Sequence, residues 1–294
     1  YYAHQIMINR VNANNFKSNE FNEITGGLDA YIFYKGLLNK ELGPIVLKLK
    51  DLYMKVFNRN NLVINITSDF SNKENLFNRI EEFTSKLNSE VLEEIPYDFE
   101  AKMQKEAFIT STDVSYVSIG NDLGKFDYKY KGDATVISNI ISNAYLYNEI
   151  RAKGGAYGAG MVINNKNTFA TFSYRDPNIA NTLNVYDNIA HVMASLSLSD
   201  EDLKPFIIGA IGKFDPALTE KGKGLKDLDM YLTGKDYKTL ESYVEEAKNT
   251  DLDKVKDLAE VINKSKEDMS MAVLSNSSNI ENNKDLFTNI IDLR

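Results

Sequence analysis

A glycine-rich stretch near the middle of the chain carries an arginine and a tyrosine whose side chains suit the chemistry of peptide hydrolysis. The stretch reads Arg151-Ala152-Lys153-Gly154-Gly155-Ala156-Tyr157-Gly158-Ala159-Gly160. The guanidinium of Arg151 is a rigid fork of N–H donors, and the phenol of Tyr157 supplies an O–H donor. Together the two groups can hold a peptide carbonyl and the negative charge that develops on its oxygen during hydrolysis.

The same residues also have a simpler, structural explanation. An arginine near the end of a helix complements the partial negative charge of the last carbonyl groups, and Tyr157 can be a core aromatic. The glycines Gly154 and Gly155 permit positive φ and the close approach of another backbone. Spacing alone leaves both interpretations of Arg151 and Tyr157 open.

A phosphate-binding loop is the main rival for these glycines. Such a loop requires a strand first and a helix second, so that the phosphate meets the helix N-terminus. Here the predicted order is helix, glycines and then strand, so the dinucleotide-binding interpretation is excluded by context.

The predicted elements around this stretch explain how it is positioned. Residues 133–153 have apolar residues at helical spacing, and Asp133 is expected to cap that helix. Residues 156–163 and 168–174 read as two strands joined by a short Asn-rich loop, as in a hairpin. Asp176-Pro177 is expected to open the next helix, with Asp as the cap and Pro in its first turn. Tyr174-Arg175-Asp176 could instead be a substrate contact, and the sequence leaves both interpretations open.

The rest of the chain also alternates between helices and strands. The first segment up to about residue 57 is predicted to be helical. Residues 61–67 and 113–120 are predicted strands, and residues 71–87 form a predicted amphipathic helix. A last strand, 269–274, is expected to lead into a last helix at 284–291.

These elements predict an α+β fold with a mixed or antiparallel sheet flanked by helices. Residues 62–80 and 271–290 echo one another as strand, Asn/Ser-rich turn and helix, which suggests a duplicated domain. An acidic connector containing Pro96 marks the boundary. We therefore expect residues 1–95 to complete one domain and residues 96–294 to form a second.

Composition narrows the possible functions. The 294 residues carry a formal net charge of −8, and the chain has no cysteine. An acidic chain argues against a nucleic-acid partner, and no apolar run is long enough to cross a bilayer. The lack of cysteine excludes disulfides, thiolate zinc sites and cysteine nucleophiles, and it fits a reducing compartment.

The histidines also limit the chemistry. The chain contains two, His4 and His191, and neither lies in a metal-binding motif, so no metal ligand is assigned. His4 is expected to be an ordinary polar residue, and His191 to be a packed or hydrogen-bonded helix residue. Several tyrosines of the first segment are expected to be partly buried, although they could also line a chamber: Tyr1, Tyr2, Tyr31, Tyr34 and Tyr53.

Three stretches of the sequence resemble a known family. The helix end and glycine turn, residues 143–158, are similar to the C-terminal-half signature of the pitrilysin and insulin-degrading-enzyme family. The resemblance is strongest to its presequence-protease branch, which includes falcilysin-like enzymes. Two more stretches resemble that branch, Ser173-Tyr174-Arg175-Asp176-Pro177-Asn178 and Phe21-Asn22-Glu23-Ile24-Thr25-Gly26-Gly27-Leu28.

The resemblance implies a specific role for the glycine-rich stretch. Members of the family carry four related α+β domains in two halves of a hinged chamber. The N-terminal half holds the inverted zinc motif His-x-x-Glu-His, and the C-terminal half contributes an Arg and a Tyr that reach the substrate. At the matching positions these are Arg151 and Tyr157, with Gly154 and Gly155 as backbone neighbours of the substrate.

By this resemblance the chain is the end of the third domain and the whole fourth domain of a zinc metalloendopeptidase that degrades short unfolded peptides. Its partners are then the N-terminal half of the same polypeptide, which binds the zinc, and peptide substrates. The fragment alone is expected to be inactive, and the cytoplasm of a bacterium is the expected location, with an organelle as the alternative. The rival hypothesis is a non-catalytic structural or peptide-binding relative.

Overall fold

The computed structural model describes residues 2–294, and Tyr1 lies outside the described residues. The chain divides into two compact units. One unit contains the described residues up to Lys35 together with Phe99–Pro216 and Lys238–Arg294, and the other contains Gly36–Asp98 and Ala217–Tyr237. These bounds differ from the expected division at residue 95, because the first helices group with the later part of the chain. The assignment to a third and a fourth family domain stays a prediction.

The first unit is built on a mixed six-stranded sheet with strand order β3-β4-β2-β5-β1-β6. The strands are β1 Lys105–Ile109, β2 Ser115–Asp122, β3 Gly158–Ile163, β4 Thr168–Asp176, β5 Ser270–Ser275 and β6 Asn289–Asp292. The neighbours from β3 through β4 and β2 to β5 are antiparallel, whereas β1 pairs with β5 and β6 in parallel. The expected α+β fold with a mixed sheet flanked by helices is confirmed.

Most helices belong to the same unit as the sheet. They are α1 Ala3–Ala13, α2 Lys17–Gly26, α3 Leu28–Leu37, α4 Leu42–Val56, α5 Lys73–Thr84, α6 Asp133–Ile141, α7 Ile179–Asp187, α8 Ile189–Ser195, α9 Asp200–Phe214, α10 Glu220–Thr233, α11 Tyr237–Lys248, α12 Leu252–Lys264 and α13 Ser277–Glu281. The helices α4, α5 and α10 belong to the second unit. Among the residues that the structure describes, no helix is long and apolar enough to span a membrane.

The sheet has a helix layer on each face. On one face α1 places Met7 and Val11 against Phe108, Ala272 and Leu274. The larger core lies on the opposite face, where side chains of α6, α7, α8 and α12 pack on the sheet. Burying apolar area on both faces is what stabilises a sheet of this kind.

Two of the predicted elements do not form. Residues 61–67 are not a strand: a 3₁₀ turn spans Arg59–Asn61, and the following residues pair with no strand in the described part of the chain. A strand needs a neighbour to accept its hydrogen bonds, and alternation alone does not supply one. Residues 284–291 are not a helix, because a short 3₁₀ turn leads into β6, which pairs with β1. The predicted repeat of strand, turn and helix in residues 62–80 and 271–290 is therefore wrong.

Two expected helix starts also differ. Gly132 occupies the cap position of α6, and Asp133 is its first helical residue. Asp176 is the last residue of β4, and α7 begins only at Ile179. The carboxylate of Asp176 still organises that junction, since it accepts hydrogen bonds from the Asn178 N–H at 2.9 Å and the Thr182 hydroxyl at 2.7 Å.

Candidate functional site

The candidate site begins at the end of an unusual helix. The predicted helix at 133–153 is present, but only α6 is α-helical, and Ser142–Lys153 continue it as a π-helix. Wider π turns are uncommon and occur often at functional sites. Arg151 lies in the last turn of this π-helix and Tyr157 immediately before β3.

The paired glycines allow the chain to turn from the helix into the strand. A Cβ atom at Gly154 would lie 2.6 Å from the Ile150 carbonyl oxygen, and Gly155 has a φ of +82°. Both positions therefore disfavour any side chain. The Asn178 side-chain amide fixes the turn by donating to the Gly154 carbonyl at 2.8 Å.

Tyr157 is held by its backbone and exposed at its ring. Its N–H donates to the carbonyl oxygens of Tyr174 at 3.2 Å and Arg175 at 3.3 Å. The residue is 58% exposed, so the interpretation of Tyr157 as a core aromatic is wrong. The phenol is available to a ligand on the surface.

The structure brings Arg151 to Tyr157. The Arg151 guanidinium carbon lies 4.9 Å from the ring centroid of Tyr147 and 5.8 Å from that of Tyr157. Such cation–π contacts orient an arginine without consuming its N–H donors. Arg151 and Tyr157 are therefore exposed neighbours, and Gly154 and Gly155 form the turn between them. Their role in binding a substrate stays a prediction.

Arg175 joins this site, at a stretch for which the sequence left a substrate contact and a strand end feeding a helix cap equally open. Its guanidinium carbon lies 5.6 Å from the Tyr157 ring centroid, and its φ is +50°, which is rare outside glycine. The resemblance of the stretch 173–178 to the presequence-protease branch was the available signal for this residue.

An aromatic layer supports the site from β4. The ring of Tyr174 lies 5.5 Å from that of Tyr157 and stacks on His4 of α1 at 4.9 Å. The cross-strand partner of Tyr174 is Gly158, where a Cβ would lie 2.6 Å from the Tyr174 hydroxyl oxygen. Glycine at this position therefore makes room for the ring. The supporting role of His4 was not foreseen.

A cavity of about 260 Å³ opens beside this layer. It is lined by His4, Tyr116, Tyr157, Tyr174 and Arg175. Burial lowers the pKa of His4 from its ordinary value, so the imidazole is neutral at pH 7 and the lining arginine supplies the positive charge. A larger cavity, about 340 Å³, lies elsewhere between α7, α12 and the sheet, and none of the predicted site residues lines it.

The resemblance places the zinc ion on the N-terminal half and assigns no metal ligand to this chain. Within residues 2–294, no group of three or more His, Cys, Asp and Glu side chains is arranged to hold a metal. His191 is exposed on α8 rather than packed, and His4 lies in the aromatic layer.

Comparison with known proteins gives the family. The family model described as the PreP C-terminal domain matches residues 105–278, a range that contains Arg151, Tyr157 and Arg175. A solved structure, the peptidase M16 inactive domain from Pseudomonas fluorescens, superposes with a TM-score of 0.48 at 14% identity, covering 70% of this chain and 51% of that one. A TM-score below 0.5 does not support an inference about this chain.

Two relatives align over most of the chain. Protein HypA of Clostridium perfringens is 31% identical over 292 residues, which is 98% of this chain and 30% of that protein. Presequence protease 1, chloroplastic/mitochondrial, of Arabidopsis thaliana is 30% identical over 251 residues, 82% of this chain and 23% of that protein. The chain thus spans less than a third of either relative. Because the family model covers more than half of the chain, this chain belongs to the family of the PreP C-terminal domain, and the expected resemblance to the C-terminal half of a pitrilysin-family peptidase is confirmed.

Proposed function

We propose that this chain is the C-terminal, substrate-binding half of a zinc-dependent metalloendopeptidase that degrades short unfolded peptides. The observation that carries the proposal is the pairing of an exposed Tyr157 phenol with the Arg151 guanidinium at a glycine turn. Both groups can donate hydrogen bonds, and both side chains are exposed.

Arg151 and Tyr157 have distinct tasks in this proposal. The guanidinium donates to the carbonyl oxygen of the scissile peptide and carries a full positive charge toward it. The phenol donates a second hydrogen bond to the same oxygen. Donors fixed before the reaction stabilise the developing negative charge more than they stabilise the neutral carbonyl, and this difference lowers the barrier.

The remaining parts of the enzyme lie, in this proposal, on the N-terminal half of the same polypeptide. That half supplies the zinc, whose chemistry when bound is to activate water and polarise the carbonyl. The length of the relatives supports this, because the chain covers 30% of one and 23% of the other. The name of the Arabidopsis relative suggests presequence peptides as one substrate class, and the net charge of −8 favours basic peptides weakly.

The test uses the gene product in which this chain occurs and an unstructured fluorogenic peptide. We expect Arg151→Ala and Tyr157→Phe each to lower kcat/KM by about 10²-fold, as measured for lost oxyanion donors. Lys153→Ala and Tyr231→Phe are matched controls, since both side chains are exposed and neither is assigned a role in the proposal.

Near-normal turnover in both site variants would refute their assigned roles. A non-catalytic relative remains the alternative function. It would be favoured if the gene product lacks the motif His-x-x-Glu-His upstream and binds the peptide without cleaving it.

A further inference from the structure

We propose that Arg175, next to Arg151 and Tyr157, is the carboxylate-binding residue of this site, so that the cavity beside Tyr157 takes a carboxylate of the peptide substrate. The carboxylate is either the C-terminus of the peptide or an acidic side chain. This inference rests on the proposed function and names a feature of its substrate.

Two guanidinium groups flank a single exposed phenol. Their carbon atoms lie 5.8 Å and 5.6 Å from the Tyr157 ring centroid, and both arginines are exposed. Placing two like charges near one ring is unfavourable unless a counter-charge joins them. A ligand with a negative group between or beside the two arginines would supply that charge.

The neighbouring carboxylates do not supply it. Glu149 pairs with Lys153 at 2.6 Å, and Asp176 is buried and accepts hydrogen bonds from Asn178 and Thr182. Among residues 2–294 neither Arg151 nor Arg175 forms an ion pair. Their N–H donors therefore remain available for a ligand.

A β-bulge sets the position of Arg175. Tyr174 pairs with Tyr116 while Asp176 pairs with Ser115, so Arg175 is an extra residue on β4 opposite β2. Its φ of +50° is unfavourable for a residue with a side chain. Bulges re-aim side chains next to active sites, and a strained non-glycine residue at such a place points to a functional constraint.

The cavity lining determines the chemistry of the ligand. Arg175 provides the charge, and the other lining residues, His4, Tyr116, Tyr157 and Tyr174, provide aromatic surface. A guanidinium binds a carboxylate in a planar, bidentate geometry. Aromatic walls around such a contact suit a peptide end or an acidic side chain flanked by apolar groups. Tyr157 lines the same cavity, so this anchor lies next to the reacting carbonyl.

The experiment compares matched peptides with the full gene product. One pair has a free-acid or an amidated C-terminus, and a second pair has Glu or Gln near the C-terminus. In one of the two pairs we expect the carboxylate peptide to have a KM about tenfold lower than its neutral partner. A hydrogen bond between charged groups that is partly exposed to water contributes about this much to binding. Arg175→Gln should abolish that preference by raising the KM for the carboxylate peptide and not for its neutral partner.

A second variant, Arg175→Gly, distinguishes the effect of losing the guanidinium from any effect of backbone strain, because glycine adopts the positive φ without strain. It should lose the preference as Gln does, while Lys153→Gln, at an exposed neighbouring cation, should keep it. The inference is overturned if both Arg175 variants keep the preference, or if they slow carboxylate and neutral peptides equally. If the gene product cleaves nothing, the proposed function has failed. Direct binding of the four peptides, measured by fluorescence anisotropy, then still decides the carboxylate preference.

Discussion

Single glycines in β3 determine where the aromatic rings of β4 can lie. Gly158 pairs with Tyr174 and Gly160 with Phe172, and a Cβ at Gly160 would lie 2.8 Å from the Phe172 ring. Each ring therefore covers a strand position that has no side chain, an arrangement that fixes register in sheets. The layer formed in this way supports the Tyr157 ring from behind.

Substitution of Gly158 by alanine is expected to destabilise the protein by about 1–3 kcal/mol, as overpacking of a well-filled site does. The added methyl group would displace Tyr174 and so loosen its contacts with His4 and Tyr157. Urea unfolding followed by circular dichroism measures the change. Gly212→Ala in α9 is the control, since a Cβ there meets nothing within 4 Å. The control should be neutral or stabilising, and an equal loss in both variants would contradict the packing argument.

Residue types predicted part of the site. Arg151, Tyr157 and the glycines could be singled out because their chemistry and their place between a helix and a strand are local properties. A substrate contact at Arg175 was one of two open interpretations, and sequence could not decide between them because the bulge arises from an offset between β4 and β2, strands that are far apart in sequence. Likewise, the contact of His4 with Tyr174 joins the first helix to β4.

At the scale of elements, local patterns predicted the helix and hairpin around the site but failed where pairing partners decide the structure. Residues 61–67 alternate like a strand and find no partner, whereas β6 forms because the edge of β1 is open to it. A π-helix was also beyond prediction, since Ser142–Lys153 has ordinary helical spacing. Periodicity reports an amphipathic surface and not the hydrogen bonds that a segment will make.

Residues 21–28, the stretch of the first helices that resembles the presequence-protease branch, have a structural function. The Glu23 carboxylate is buried, accepts from the Leu28 N–H at 2.8 Å at the start of α3, and also pairs with Arg10 at 3.3 Å. Gly27 is required because a Cβ there would overlap the Glu23 side chain. Sequence resemblance detected this segment, but the reason for its composition is the junction between α2 and α3.

A buried carboxyl group at the start of α6 predicts how the stability of the protein depends on pH. Burial raises the pKa of the Asp133 carboxyl above its ordinary value of 3.8, although Lys131 and Lys254 oppose this effect. The folded protein therefore binds this proton more tightly than the unfolded chain. Its favourable contribution is complete below about pH 3.8 and is lost as the pH rises through the folded-state pKa.

We therefore expect Asp133→Asn to raise the Tm at pH 7, on the order of 1–2 °C because the group is partly solvated, and to have no such effect at pH 3. Differential scanning calorimetry at the two pH values measures this. Asp253→Asn is the control, because Asp253 also lies in the first turn of a helix but is exposed. A Tm gain that persists at pH 3 would show that charge burial is not the cause.

At the scale of the whole molecule, the second unit has an apolar helix without a buried side. No residue of α4 is buried. Its exposed apolar residues are Leu42, Val46, Leu47, Leu49, Leu52, Tyr53, Met54 and Val56. Tyr31, Tyr34 and Tyr53, which were expected to be partly buried, are also exposed at 47%, 59% and 59%. A helix with this many exposed apolar residues is a candidate interaction site.

The occupant that fits the proposed function is the rest of the same polypeptide. Because the chain has no cysteine, single cysteines introduced into the gene product report exposure directly, provided that other cysteines are removed. We expect Leu49→Cys in α4 to react with a maleimide at least about tenfold more slowly than Lys204→Cys in α9, since an interface must open before the thiol can react. Both positions are exposed in this chain, so the difference measures what the remaining polypeptide covers. Equal labelling rates would mean that the apolar face of α4 stays open in the complete protein and that its partner is another molecule.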